Sequence, residues 1–331
     1  DAAAEAGADA VKFQTFKADR LASATAPKAA YQARETGGSE SQLQMLRALE
    51  LSADSHRSLM SHCASRGIEF LSSPFDEDSL ALLVTLGVKR LKLGSGELTN
   101  APILLAAARS GLPLLISTGM ATLVEVEEAL GAVSFGHASP SAAPSRAAFA
   151  GAWAAPASRA WVQSNVTLLH CTTEYPSPAD ESNLRAIETM RERFGVACGY
   201  SDHTVGNAVC LAAVALGAVA IEKHLTLDRN LPGPDHKASI EPDELKRLVH
   251  GIRTVESALG DGVKAATPAE APNMAVARKS IVAAKPIAKG ERITADHITV
   301  KRPGTGRSPF ELWDVIDTIA TRAYAVDDAL D

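Results

Sequence analysis

The chain has 331 residues, of which 46% are hydrophobic and 22% are charged, and its formal net charge at pH 7 is −6. A chain of this length can bury a large core if it divides into one large and one small unit. The acidic balance leaves no broad basic surface, and no apolar run is long enough to cross a bilayer, so neither nucleic acid nor membrane is predicted as a partner.

The first seven residues have the pattern of a helix end rather than of a chain start. They read Asp1-Ala-Ala-Ala-Glu-Ala-Gly7, and glycine is the usual residue at which a helix stops. No initiator methionine precedes them. We therefore expect that an upstream strand and half a helix are missing from this sequence.

A repeated pattern follows, in which a short apolar run ends in polar residues and leads into a helix. Seven runs fit the pattern, at residues 10–13, 69–71, 90–93, 112–116, 166–169, 196–200 and 218–221. Strands alternating with helices are typical of a parallel sheet, and polar residues at strand carboxyl ends are typical of a barrel mouth. With one strand missing at the front, the pattern predicts an α/β fold, a (β/α)8 TIM barrel over residues 1–260.

Capping signals predict several of the intervening helices. Helix starts are expected at Ser52, Asn100 and Thr122, the last with a capping box to Glu125, and another helix begins near Pro242. The Ala-, Ser- and Pro-rich residues 135–159 interrupt the rhythm and predict an insertion with some helix at 146–153. Each helix is expected to stop at a glycine, namely Gly67, Gly111, Gly131 and Gly260.

Residues 196–236 carry the densest cluster of polar strand ends. Two β-type runs stop in Ser201-Asp202-His203 and Glu222-Lys223-His224, and the Ala-, Leu- and Val-rich residues 206–217 between them have helical length. In a βαβ unit the two strands are parallel, so both histidines would face the same mouth.

The composition changes after Gly260. Residues 261–276 contain prolines and small or charged residues, which suits a linker. Residues 277–331 then alternate short β runs with turn signals such as Lys289-Gly290, and this pattern predicts a small β-rich domain.

Eight motifs, in their order and spacing, resemble one known family. They read KFQTF at 12–16, KLGSGE at 92–97, STGM at 117–120, HCTTEYP at 170–176, GYSDHT at 199–204, IEKHLTLD at 221–228, GPDH at 233–236 and KRPGTG at 301–306. Together they are similar to the sialic acid synthase family, which includes N-acetylneuraminate and N,N'-diacetyllegionaminate synthases. Residues 277–331 resemble the antifreeze-like (SAF) domain of the same enzymes.

The resemblance implies an activity. The expected reaction condenses phosphoenolpyruvate with an N-acylated hexosamine, N-acetylmannosamine or a 2,4-diacetamido-trideoxy hexose. The products are a nine-carbon 2-keto sugar acid and phosphate. At the position of the family's frequent Asn this chain has Thr173, followed by Glu174, and this difference favours a diacetylated sugar such as the legionaminic acid precursor.

The resemblance also implies a divalent metal, Mn²⁺ or Mg²⁺, bound by His203 and His224. Imidazoles together with oxygen donors suit such an ion in an open site. The ion would act as a Lewis acid on the aldehyde oxygen of the sugar. A single histidine at a strand end is more often a hydrogen-bonded structural residue, but two on adjacent strands, each beside a carboxylate, favour the metal.

The remaining candidate residues divide between the two substrates. Glu97 is the residue expected to transfer a proton. Its alternative role is a structural charge near Asn100. For the serines and lysines the alternatives are also structural, because serines at strand ends often hydrogen-bond to the backbone of a turn and lysines in strands often extend to solvent. A lysine inside LKLGS has no obvious solvated face, so two such lysines favour an anion site. The family match implies that phosphoenolpyruvate is bound by Lys12, Ser73, Lys92, Ser95, Ser117 and Ser201. It implies that the sugar or the metal site is contacted by Gln14, Tyr175, Glu222 and Asp235. Asp235 follows a Gly-Pro turn, so its alternative role is that of an ordinary turn residue.

Arg302 lies in the small domain, in a Pro- and Gly-containing loop of the kind that usually faces solvent. The resemblance implies that this arginine enters the active site of a partner subunit and binds the N-acyl sugar. A homodimer with a swapped C-terminal domain is therefore expected. Removal of residues 277–331 is expected to abolish sugar use and to leave phosphoenolpyruvate binding intact.

Three alternatives remain open. A pseudaminic acid synthase would differ in the sugar alone, and a barrel metallohydrolase would need more ligands than the sequence offers. Because the family's first strand supplies substrate contacts, a chain without it is expected to be poorly stable and weakly active, and a non-catalytic anion-binding barrel is the third alternative.

Four cysteines without CxxC spacing favour a reducing cytoplasm as the location of the protein.

Overall fold

The computed structural model describes residues 1–36 and 41–331, and the chain forms two units, Asp1–Gly260 and Asp261–Asp331. Within these ranges the first unit contains seven strands, each of which overlaps a predicted apolar run, although the last of them begins at Ile221, where its predicted run ends. They are β1 (Ala10–Thr15), β2 (Glu69–Pro74), β3 (Leu91–Leu93), β4 (Leu114–Ser117), β5 (Val166–Cys171), β6 (Ala197–Asp202) and β7 (Ile221–Lys223).

All paired strands of this unit are parallel. They form a two-stranded sheet, β1-β2, and a five-stranded sheet in the order β3-β4-β5-β6-β7. The α/β class and the parallel arrangement are therefore confirmed, and the strands form a half-barrel. In the described ranges no ladder joins β7 to β1, so the closed eight-stranded barrel goes beyond the observed pairing.

Helices connect these strands. Following the chain order, their bounds are α1 (Ala2–Glu5), α2 (Ala18–Leu21), α3 (Ala30–Thr36), α4 (Gln42–Ala48), α5 (Ala53–Ser65), α6 (Glu77–Leu86), α7 (Ala101–Arg109), α8 (Leu123–Ala138), α9 (Arg146–Ala154), α10 (Pro156–Asn165), α11 (Arg185–Phe194), α12 (Ala208–Ala215) and α13 (Pro242–Leu259). Of these helices, α1, α5, α6, α10, α11 and α12 pack directly against strands. The first and last helices of the unit, α1 and α13, pack against each other. A helix–helix contact therefore joins the beginning and the end of this unit, although no strand ladder among the described residues joins β1 to β7.

Local signals in the sequence explain where several helices begin. Ser52 caps α5, Asn100 caps α7, and Thr122 forms the expected capping box with Glu125 at the start of α8. These predicted starts are confirmed. A helix within residues 135–159 is also confirmed, because α9 begins at Arg146.

The predicted stop at Gly131 is wrong, because α8 continues to Ala138. Gly131 lies where α8 meets α9, and a Cβ atom at this position would be 2.9 Å from the backbone oxygen of Phe149. The glycine therefore permits a close approach of two helices rather than ending one.

A continuous core fills the space between strands and helices of the first unit. Its most deeply buried side chains include Leu91, Leu93, Leu114, Ile116 and Leu168. Each such side chain contributes about 1.5–3 kcal/mol by leaving water. This core holds the strands in a fixed register and so fixes the positions of the polar side chains near their ends.

The second unit is built around an antiparallel pair, β8 (Ser280–Ala283) and β9 (Ile298–Lys301). Two helices accompany it, α14 (Ala271–Ala277) and α15 (Leu312–Val315), and α14 begins inside the segment predicted as linker. A separate core includes Ile281, Ile287 and Ile293. Across both units, none of the described helices is both long enough and apolar enough to cross a bilayer.

Candidate active site

Strand alternation separates the polar residues at the ends of β6 and β7 onto two faces. Ser201 pairs in register with Glu222, and Asp202 pairs with Lys223. Successive side chains in a strand point to opposite faces, so each of these pairs shares one face. Ser201 Oγ donates to Glu222 Oε1 at 2.8 Å, and Lys223 Nζ lies 2.5 Å from Asp202 Oδ2.

Glu222 joins two lysines from distant strands. Lys12 Nζ, from β1, lies 2.9 Å from Glu222 Oε2, and Lys92 Nζ, from β3, lies 3.6 Å from Glu222 Oε1. Lys92 also donates to Ser117 Oγ of β4 at 2.7 Å. We call Lys12, Lys92, Ser117, Ser201 and Glu222 the lysine network. It joins side chains of five strands, including the first and the last.

The lysine network holds two cations against one carboxylate, and the pKa values of Lys92 and Glu222 reflect this excess. Burial, followed by the charge of Lys12, lowers the pKa of Lys92 to about 8, although Glu222 acts in the opposite direction. Burial alone would raise the pKa of Glu222, but the two lysines lower it well below its usual range. The network therefore carries a net positive charge at neutral pH and can attract an anion.

Both lysines lie inside their strands rather than at the strand ends. Lys92 is only 2% exposed, and its Nζ also donates to the carbonyl oxygen of Leu93 at 3.0 Å. A four-carbon side chain lets an ammonium group reach the mouth from inside the strand. The expectation that Lys92 lacks a solvated face agrees with this burial.

A second group of side chains surrounds the turn after β4. Gly119 N donates to Ser95 Oγ at 3.0 Å, and Ser95 Oγ lies 3.0 Å from Cys171 Sγ. A Cβ atom on Gly119 would be 2.3 Å from Thr173 Oγ1, so this turn tolerates glycine alone. Ser73 is buried at the end of β2, in register with the exposed Gln14 of β1.

The two predicted metal ligands lie side by side, one residue beyond β6 and β7. The ring centroids of His203 and His224 are 5.4 Å apart. The Tyr175 ring lies 4.1 Å from His203 and 5.4 Å from His224, so one aromatic side chain contacts both imidazoles. His203 Nδ1 lies 2.6 Å from the carbonyl oxygen of Thr172.

Both imidazoles are neutral at pH 7. Burial, followed by the charge of Lys12, lowers the pKa of His224 to about 3, and burial likewise lowers the pKa of His203. A carbonyl oxygen only accepts, so the Thr172 contact puts the proton of His203 on Nδ1 and leaves the Nε2 lone pair for a ligand.

Neutral imidazoles are the form that binds metals. In the part of the chain that the structure describes, no three His, Cys, Asp or Glu side chains converge as a metal site. Glu222 is engaged by two lysines and is not a competing ligand. The residues present therefore fit an ion held by two imidazoles, with its other positions open to substrate and water oxygens.

Comparison with known proteins decides the family. Residues 1–264 match the NeuB family model, and residues 278–325 match the SAF domain model. The chain belongs to the NeuB family. Both resemblances that the sequence motifs indicate, to the synthase family and to the SAF domain, are thereby confirmed.

Individual NeuB relatives match almost the whole chain. The N,N'-diacetyllegionaminic acid synthase of Campylobacter jejuni is 45% identical over 328 residues, which cover 99% of this chain and 91% of that protein. The enzyme of the same name from Legionella pneumophila is 44% identical, with coverages of 95% and 83%. The crystal structure of N-acetylneuraminic acid (sialic acid) synthetase from Leptospira borgpetersenii superposes with a TM-score of 0.65 at 30% identity, and it covers 82% of each chain.

In this NeuB chain Glu97 does not lie at a strand end. It lies in a 3-10 turn, Ser95–Glu97, and its Oε2 accepts a 2.6 Å hydrogen bond from Asn100 Nδ2, the residue that caps α7. Burial raises the pKa of Glu97. Among the described residues Glu97 makes no hydrogen bond or ion pair with the lysine network.

Two further predicted residues lie outside the lysine network. Asp235 follows the Gly233-Pro234 turn, and its Oδ1 is buried without a hydrogen-bond partner among the residues described. Burial raises the pKa of Asp235. In the second unit the Arg302 side chain is exposed, and its Nε donates to the carbonyl oxygen of Ala277 at 3.0 Å.

Sequence reasoning missed two features of the site. The Lys223–Asp202 ion pair is almost fully buried, and Cys210 Sγ and Thr204 N also donate to Asp202. Register pairing and strand alternation would have indicated this pair, since both residues occupy the opposite face from Ser201 and Glu222. Tyr31 of α3, whose ring centroid lies 4.9 Å from that of Tyr175, has no sequence signal of its own.

Proposed function

We propose that this NeuB protein condenses phosphoenolpyruvate with an N-acylated hexosamine, consuming one water molecule, and releases phosphate and a nine-carbon 2-keto sugar acid. The observation that carries the proposal is the lysine network lying beside two neutral imidazoles. Glu222 and His224, two residues apart in sequence, link the two groups, and the charges of Lys12 and Glu222 act on both histidines. An anion site next to a metal-binding pair supports a reaction between an anionic and a carbonyl substrate.

Phosphoenolpyruvate would bind at the lysine network. Its phosphate and carboxylate need cations and hydroxyl donors, and the network supplies two ammonium groups and two serines. In the absence of substrate Glu222 compensates the charge of the two lysines, so binding of phosphoenolpyruvate gives the lysines a new anionic partner in place of Glu222. Ser73 and Ser95 complete the proposed phosphoenolpyruvate contacts.

His203 and His224 would hold the divalent ion, Mn²⁺ or Mg²⁺. NeuB-family synthases are generally metal-dependent. Bound there, the ion supplies Lewis acidity to the sugar's carbonyl oxygen. The protein's own part is to keep both imidazoles neutral and to orient His203 through its bond to Thr172.

The sugar would contact Tyr175, Asp235 and Gln14. The Tyr175 ring contacts both imidazoles, and the unpartnered Asp235 Oδ1 is an acceptor for a hydroxyl or amide group of the ligand. Glu97 remains our proposed proton-transfer residue, and the support for it is its raised pKa in a buried position.

We further propose the closed (β/α)8 barrel and the swapped homodimer for this chain. The packing of α1 against α13 and the Lys12–Glu222 ion pair between β1 and β7 support a ring that one more strand would complete. The exposed Arg302 is the proposed contribution of each small domain to its partner. Four buried free cysteines support the proposed cytoplasmic location.

The sugar is proposed to be the 2,4-diacetamido-trideoxy hexose of the legionaminic series, as the names of the two bacterial relatives suggest. The test offers three sugars separately with phosphoenolpyruvate and Mn²⁺: this hexose, its pseudaminic-series isomer and N-acetylmannosamine. We expect phosphate release with the first sugar and a product mass that equals the sugar plus pyruvate. Turnover of the pseudaminic-series isomer alone would support the alternative synthase.

A further inference from the structure

Helix α3 brings an aromatic residue to the site from a segment without any of the family motifs. Tyr31 is partly buried, and its ring centroid lies 4.9 Å from that of Tyr175 at an interplanar angle of 35°. Tyr175 in turn contacts His203 and His224. Tyr31 therefore forms an outer layer of the site, one ring further from the proposed metal ligands than Tyr175.

Tyr31 also lies within electrostatic reach of Asp235. Burial, followed by the charge of Asp235, raises the pKa of Tyr31 to about 12. Its phenol is therefore neutral and can both donate and accept a hydrogen bond at physiological pH. Asp235 contributes Oδ1, a buried acceptor without a partner among the described residues.

A buried acceptor without a hydrogen-bond partner is unfavourable, because it has lost its hydrogen bonds to water. A ligand group that carries an N–H or O–H would remove this cost. The Tyr31 ring, the Tyr31 hydroxyl and Asp235 Oδ1 together offer an apolar surface, a two-way hydrogen-bonding group and an acceptor. An acetamido group matches this set, because it has a methyl group, a carbonyl oxygen and an N–H.

We propose that Tyr31 contacts the sugar and selects its second N-acyl group, the one remote from the aldehyde carbon. The inference rests on the proposed function, in which the aldehyde lies at His203 and His224. The aldehyde end then lies next to Tyr175, and the far end of the open-chain sugar extends toward Tyr31. The ring packs on the acetamido methyl, and Asp235 accepts from the amide N–H.

A purely supporting role for Tyr31 predicts a different result. If Tyr31 merely held Tyr175 against the histidines, its loss would affect all sugars alike and would also alter metal binding. A contact with the second N-acyl group affects the diacetamido sugar and leaves N-acetylmannosamine, which lacks that group, nearly unchanged. The ratio of the affinities for the two sugars, compared between the variant and the unsubstituted protein, therefore distinguishes the two roles.

The test compares Tyr31→Leu and Tyr31→Phe with the unsubstituted protein. KM and kcat are measured for both sugars and for phosphoenolpyruvate, and calorimetry measures the binding of each sugar in the presence of metal. We expect Tyr31→Leu to weaken binding of the diacetamido sugar about tenfold or more and that of N-acetylmannosamine less than about twofold. Tyr31→Phe, which keeps the ring, should lose about fivefold. KM for phosphoenolpyruvate should not change.

Tyr324→Phe is the matched control, because it removes the same hydroxyl from a buried tyrosine of the second unit. It should leave both sugar constants unchanged. Equal losses for the two sugars, or no loss with either Tyr31 variant, would overturn the inference. If the unsubstituted protein binds the diacetamido sugar without turnover, the proposed reaction fails while binding still tests Tyr31. If neither sugar binds to the unsubstituted protein, both proposals are overturned.

Discussion

Lys92 is the residue in which burial and charge conflict most strongly. A buried ammonium group is unfavourable unless charged or polar partners compensate it, and Lys92 has Glu222, Ser117 and the Leu93 carbonyl oxygen. A cation kept at this cost in the centre of the site is best explained by an anionic substrate.

Replacement of Lys92 by Met tests this explanation. The variant keeps the volume and removes a charge that would contact phosphoenolpyruvate, so we expect the Kd for phosphoenolpyruvate to rise by about 10- to 100-fold, the range of a charged hydrogen bond. Lys89→Met, an exposed lysine three residues earlier, is the matched control and should have no effect. Equal affinities in the two variants would remove Lys92 from the anion site.

The pH dependence of substrate binding follows from the same residue. Because its pKa is lowered to about 8, Lys92 is mostly charged at pH 7 and loses its proton as pH rises through 8. Phosphoenolpyruvate itself is fully ionised over this range. We expect its Kd to increase above about pH 8, by up to tenfold per pH unit.

Calorimetric titrations between about pH 7 and 9 measure this dependence. Lys92→Met should show a Kd that varies much less with pH. A Kd that stays constant in the unsubstituted protein would mean that Lys92 is not the titrating group.

At the scale of residues, the sequence predicted which side chains gather but not how they pair. The absence of a solvated face in LKLGS was enough to predict that Lys92 is buried, because both neighbours are leucines. That Glu222 is shared by Lys12 and Lys92 depends on the curvature that brings β1, β3 and β7 together. The position of Tyr31 beside Tyr175 depends on the path of residues 18–36, and no periodicity or motif in the sequence determines that path.

Helices α8 and α9 provide the clearest prediction at the scale of elements. A Cβ atom at Gly131 would be 2.9 Å from Phe149 O, whereas one at Gly151, in α9, would meet nothing within 4 Å. Gly131→Ala must push the two helices apart and should lower the free energy of unfolding by about 1–3 kcal/mol. Gly151→Ala should instead raise it by about 0.5–1 kcal/mol, since alanine favours the helix.

Urea unfolding of both variants measures the difference. The two substitutions add the same methyl group, so helix propensity alone predicts the same sign for both. Two increases of similar size would show that α8 and α9 are not in close contact at Gly131.

Local sequence signals determine the starts of these helices better than their ends. Caps such as Thr122 and Asn100 mark helix starts reliably, because they satisfy amide groups within the same turn. A glycine is ambiguous, since Gly67 and Gly111 adopt positive φ at helix ends while Gly131 serves an interhelical contact. Only the position of α9 distinguishes the two uses.

The proposed swapped dimer makes a prediction at the scale of the whole molecule. At a phosphoenolpyruvate concentration well below the Kd of the Lys92→Met variant, the Arg302→Ala and Lys92→Met homodimers should each have little activity. If Arg302 acts in the partner's site, a mixed dimer has one site with both residues intact. Random exchange of subunits should therefore restore about a quarter of the normal rate.

Phosphate release after mixing and subunit exchange measures this recovery. A mixture of Arg302→Ala with itself serves as the control. If each small domain served its own barrel, neither site of the mixed dimer would be intact, and no recovery would appear. The sequence predicted this arrangement through family resemblance alone, since no property of a solvent-exposed arginine identifies its partner.

The proposed condensation is tested most directly by measuring phosphate release from phosphoenolpyruvate with each component omitted in turn. We expect release only when phosphoenolpyruvate, the diacetamido sugar and Mn²⁺ are all present, with one 2-keto acid formed per phosphate. Release without sugar would indicate a phosphatase and would contradict the condensation. No release from folded protein with bound metal would also contradict it and would favour a non-catalytic anion-binding protein.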